Sequence, residues 1–79
     1  MDKNEFIQNV KDYGSGPAIS AFLEENESFF KDVLKENGFN NFQEFEDWGA
    51  NGADNDWDKY DRIYFECLKK IPAEKFNIK

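Results

Sequence analysis

The chain has no histidine, one cysteine and two prolines in 79 residues, and no glycine-rich phosphate loop. Each absence closes a route. Histidine is the usual general base and the commonest metal ligand, so a nucleophile such as Cys67 would lack its ordinary partner. A single cysteine cannot build an intrachain disulfide framework. No apolar run exceeds three residues, as in Ile63-Tyr64-Phe65, so no segment is predicted to span a bilayer. Nothing alternates with period two for long enough to make a sheet. Met1 to Glu5 leads straight into a polar helical pattern with no apolar leader. With the lone thiol, this sets the expectation of a reducing, cytoplasmic setting.

What is plentiful is aromatic. Nine Phe, three Tyr and two Trp make up 18% of the chain. A domain this short buries only about 60% of the surface that its unfolded form exposes. Each buried aromatic removes roughly 150–250 Å² from water, so large rings supply a core where length does not. One domain over residues 1–79 is expected.

Charge is uneven. The net charge is −7; residues 1–58 carry 14 acids and 4 bases, and residues 59–79 carry 3 acids and 6 bases. Between Asn40 and Asp58 lie six acids (Glu44, Glu46, Asp47, Asp54, Asp56, Asp58) and no base. Such a surface repels phosphate, which excludes non-specific binding to nucleic acid or anionic membrane. A basic protein is the expected partner. The plain alternative is that acidity keeps an aromatic-rich protein soluble.

The apolar spacing is helical throughout, predicting an all-α bundle of four to five helices. The first runs from about Lys3 to Tyr13, with Asp2 and Glu5 as a capping pair, Gly14 as the stop, and Phe6, Ile7, Val10 and Tyr13 on one face. Ser15-Gly16 is the connector, and Pro17 suits the next first turn. From Pro17 to Asn37 the apolar stripe keeps its phase, which favours one continuous helix with Glu27 and Lys31 paired. The alternative is a second helix capped by Asn26. A short helix follows over Phe42 to Trp48, capped by Asn40 or Asn41. Gly49 to Ala53 is expected to be an exposed loop or hinge. The last helix starts near Asp54–Asp56 and ends at Ile71. Its apolar arc predicts a central position in the bundle. Phe76 is expected to fold back onto the core, with Asn77 to Lys79 as a tail.

Three constellations carry possible chemistry. Asp54-Asn55-Asp56-Trp57-Asp58 resembles the first half of a calcium loop, but Lys59 stands where the sharp turn needs Gly, and Phe65 where a bidentate Glu belongs. Capping of the last helix is the stronger reading, and no metal ligand or cofactor is assigned. Asp61 lies inside the apolar arc and needs a donor, such as the Trp48 indole N–H or the Tyr13 hydroxyl, unless it sits at the arc's edge in water. Cys67, on the inner stripe, reads as a small buried apolar group. Trp48 and Trp57 are both read as core.

The expected function is a non-catalytic acidic binding protein. Glu44, Asp47, Asp54, Asp56 and Asp58 supply charge, and Trp48 or Phe39 supplies contact area. In its sharpest form it is an inhibitor or antitoxin-like blocker of a nucleic-acid-binding protein, a DNA mimic whose carboxylates take the places of phosphates. Two other readings stand beside it. One is a calcium-responsive module built on the 49–58 loop. The other is an accessory subunit whose basic 59–79 segment meets the acidic face of another copy, giving a monomer or weak homodimer. In size and charge the chain is similar to small helical immunity proteins and phage-encoded inhibitors that imitate DNA, a likeness carried by no motif.

Overall fold

The capping signals hold in the computed structural model, which describes residues 2–14 and 16–76. Ser15 of the expected connector and the Asn77 to Lys79 tail lie outside the described residues. Helix α1 spans Lys3–Tyr13; Asp2 Oδ1 accepts from the Glu5 N–H at 2.8 Å, and Gly14 ends it at φ 83°. Then follow α2 (Pro17–Glu25), α3 (Lys31–Glu36), α4 (Phe42–Ala50) and α5 (Trp57–Lys70). Short 3₁₀ turns stand at Glu27–Phe29, Ala53–Asn55 and Ala73–Phe76. The fold is all-α, a small five-helix bundle.

The continuous helix over 17–37 is not formed. Asn26 ends α2 instead of capping α3: its side-chain amide donates back to the Phe22 carbonyl at 2.8 Å. Glu27 does not pair with Lys31; its carboxylate accepts from the Phe42 N–H at 2.6 Å, at the start of α4. The unbroken phase misleads for a geometric reason. A 3₁₀ residue turns about 120° against about 100° in an α-helix, so a three-residue turn shifts the stripe without destroying it. Phe30 is thereby fully buried, while Phe29 is turned outward.

One contiguous core joins the elements. Helix α5 contributes most to it, with Ile63, Tyr64, Cys67 and Leu68. Phe76 folds back fully buried, and its ring lies 5.1 Å from both Phe6 and Phe22. A second aromatic group runs through Phe39, Phe45, Trp48 and Tyr60; Phe45 and Tyr60 stack at 4.9 Å. The Cα radius of gyration is 12.0 Å, close to the ~12 Å expected of a well-packed chain this long. Among the described residues, no helix is long and apolar enough to cross a membrane.

The wheel-based reading of α5 is only half right. Leu68 is fully buried, yet Trp57 and Asp61, at similar angles on the helix, are exposed. Helix α1 reaches α5 through Lys3 Nζ on the Lys69 carbonyl and Lys11 Nζ over the Phe65 ring. Both contacts lie in the C-terminal half of α5, and neither reaches Trp57. Trp57 is 50% exposed, not core, and Tyr13, at the end of α1, is 85% exposed.

Candidate functional site

Helix α4 and the turn after it carry the predicted acidic residues. Asn41 caps α4 by accepting from the Glu44 N–H at 2.9 Å. Glu44 reaches back to the Asn40 N–H and side-chain amide, both at 3.2 Å. With Glu27 on the Phe42 N–H, two N–H donors in the first turn of α4 are met by side chains, and Glu44 holds the Asn40 N–H just before the cap. Glu44 is thus a half-exposed local clamp. Asp47 is exposed and accepts from Gln43 Nε2 at 3.0 Å.

Gly49 and Ala50 are helical and Ala53 is fully buried, so the segment expected as an exposed loop is largely built in. Gly52 enters the left-handed region at φ 98°, followed by Ala53, Asp54 and Asn55 at 50°, 54° and 63°. This turn brings Asp54 back against α4, where Oδ2 accepts from Trp48 Nε1 at 3.0 Å. Trp48 is half-buried against the core, as read, and its indole serves Asp54 and not Asp61. Asp61 needs no internal donor, because it is exposed.

Asp56 is the N-cap of α5, accepting from the Lys59 N–H at 3.2 Å, and Asp58 follows in the first turn. Lys59 Nζ stands over the Trp48 ring, 5.6 Å from its centroid. Asp54, Asp56 and Asp58 are all exposed. The structure therefore gathers Trp48, Asp54, Asp56 and Asp58 around the α4–α5 junction and leaves Glu44 at the far end of α4. Among the described residues the ion pair formed is Lys70 Nζ to Asp32 Oδ2 at 3.5 Å, remote from this surface in sequence and involving none of its acids.

Two acidic residues act in ways that local spacing does not reveal. Glu27 caps a helix 15 residues away. Glu46 meets Ser20 and Glu24 of α2; partial burial, then the neighbouring Glu24 carboxylate, raise its pKa, while the Ser20 hydroxyl opposes the shift. Neither contact has a sequence signature, because each joins separate elements.

Among the described residues, no three His, Cys, Asp or Glu side chains converge as a metal cluster would require. Asp54 and Asp56 are spent on the Trp48 indole and the α5 cap. Cys67 is fully buried, and burial, reinforced by the charges of Glu66 and Asp32, pushes its thiol up to about 12. A groove of about 510 Å³, bounded by Ala18, Phe22, Glu25 and Lys75, takes in none of the acids of the α4–α5 junction. No protein-family model, curated protein or solved structure matches the chain.

Proposed function

We propose that the chain is a non-catalytic acidic binding protein that engages a basic protein through Asp47, Asp54, Asp56 and Asp58, with Glu44 at the margin. One observation carries this reading: these four aspartates are exposed and none is ion-paired to a base among the described residues. Surface charge that no base neutralises is available to steer and orient a partner of opposite sign, even where a carboxylate also accepts a neutral hydrogen bond. In its sharper form the partner is a nucleic-acid-binding protein, and the carboxylates occupy its phosphate subsites. A cytoplasmic setting accords with the free thiol of Cys67.

The test is capture of a partner from the native host at low salt, repeated at high salt, with duplex DNA as competitor and with a D47N/D54N/D56N/D58N variant. Asparagine keeps the capping geometry while removing charge. The expected partner is released by salt and by DNA and ignores the neutralised variant. A partner held equally by that variant, or retained at high salt, overturns the reading, as does failure to capture any partner.

A further inference from the structure

We propose, on the acidic-surface reading above, that Trp57 is the contact point of this surface and seats an arginine side chain from a basic protein segment. Trp57 lies within the apolar arc of α5, yet is 50% exposed. Its ring meets Tyr60 edge-on at 5.4 Å, and about half of the residue's surface faces water. Carboxylates flank it along the chain. Asp56 and Asp58 adjoin it, Asp54 precedes it, and Asp61 lies one turn on, all exposed. Residues four apart on a helix stand about 5–6 Å apart at Cβ, so Asp61 shares its side of the helix.

The molecule itself supplies the binding mode. Three other rings each carry one of the chain's own ammonium groups: Lys3 over Phe76 at 5.8 Å, Lys11 over Phe65 at 5.5 Å, and Lys59 over Trp48 at 5.6 Å. The third is an indole whose N–H is held by Asp54, so a cation on an indole amid these aspartates is already present once. Among the described residues, no cation stands over Trp57. Indole is the strongest cation–π acceptor among side chains, and the nearest base in sequence, Lys59, is committed to the other tryptophan.

The surroundings select the cation. A guanidinium stacks flat on an indole while its edge donates in a two-bond fork to a carboxylate; an ammonium is a point charge with neither the flat face nor the fork. A phosphate-bearing partner is repelled by the same aspartates. The surface therefore fits an arginine of a basic protein, with the ring giving area and Asp58 or Asp61 giving direction.

The experiment follows the two indole N–H signals of the full chain by ¹H–¹⁵N NMR, assigned with Trp57→Phe, during titration with blocked hexa-arginine and hexalysine peptides at low salt. The expected result is movement of the Trp57 signal, tighter binding of hexa-arginine than hexalysine, and about 3- to 30-fold weaker hexa-arginine binding by Trp57→Ala. Trp57→Phe should fall between. Thermal melts followed by circular dichroism establish that each variant folds; should Trp57→Ala not fold, Trp57→Phe and the signal movements decide. Unchanged hexa-arginine binding by a folded Trp57→Ala, with loss in the four-aspartate variant, overturns the Trp57 contact and leaves the acidic surface standing. Equal binding of the two peptides overturns the choice of arginine. No binding of either peptide by the unmodified chain overturns both.

Discussion

Trp48 Nε1 donates to Asp54 Oδ2 across the left-handed turn that joins α4 to α5, at 3.0 Å. Left-handed backbone costs about 1–2 kcal/mol for each residue bearing a Cβ, and Ala53, Asp54 and Asn55 all adopt it. The complete burial of the Ala53 methyl and the Trp48–Asp54 bond are what oppose that cost. Asp54→Ala is therefore expected to destabilise the fold by about 1 kcal/mol, read as a lower urea midpoint with an unchanged slope. Asp54→Asn should retain most of the stability, because its side-chain oxygen can still accept.

Gly49 is helical, so an alanine there would ordinarily gain about 1 kcal/mol in helix propensity. Here a Cβ would stand 2.4 Å from the Tyr60 ring. That ring is stacked on Phe45 and Trp48, contacts that would have to shift for it to yield. Gly49→Ala is expected to be destabilising by about 1–3 kcal/mol, and Tyr60→Leu should recover part of the loss. A Gly49→Ala variant that melts higher than the parent would show that the two helices separate easily.

Burial holds the Cys67 proton up to about pH 12, against an ordinary value of 9.0. Native protein should therefore react with a maleimide only as fast as it unfolds. The linkage follows from the direction of the shift. The folded chain keeps a proton that the unfolded chain releases, so stability is full below the ordinary value and falls as pH rises toward the folded one. Tyr60, raised mainly by burial and then by the charges of Glu46 and Asp61, adds to the same alkaline loss. Cys67→Ala should flatten part of the fall in urea midpoint above pH 9, and Tyr60→Phe another part.

Glu46 is an acid whose pKa is raised, not lowered, by folding. The folded state then binds the extra proton, so its contribution is fully present below the ordinary 4.5 and is lost as pH climbs through the raised value. Glu46→Gln should stabilise the neutral protein slightly, by about 0.5 kcal/mol or less, since the site is largely open to solvent and screened. Melting temperatures across pH 4 to 7 should converge for the two proteins at the acidic end. A variant less stable at neutral pH would mean that the Ser20 contact outweighs the repulsion from Glu24.

Much of the fold is legible in the chain because its punctuation is local. Asp2, Asn41 and Asp56 each cap the helix that follows them, with the side chain reaching an N–H three residues on. Gly14 ends α1 as expected, though with an extended ψ of 179° at φ 83° and not the left-handed helical turn, and Phe76 returns to the core after Pro72. The candidate surface is legible only as a set of charges. Which of them are spent, Glu44 on Asn40 and Asp54 on Trp48, depends on backbone geometry that spacing does not encode.

Sequence alone determined that this protein is helical, aromatic-cored and acidic over residues 40–58, because periodicity, ring content and charge are properties of the chain read in order. Only the tertiary structure decided that Glu27 serves α4, that residues 17–37 break, and that Trp57 faces water while Leu68, at a similar helical angle, does not. The reason is that a helix wheel records direction but not coverage. Whether an apolar side chain is buried depends on how far the neighbouring helices extend, and the contacts of α1 with α5 fall at Phe65 and Lys69, two turns or more past Trp57.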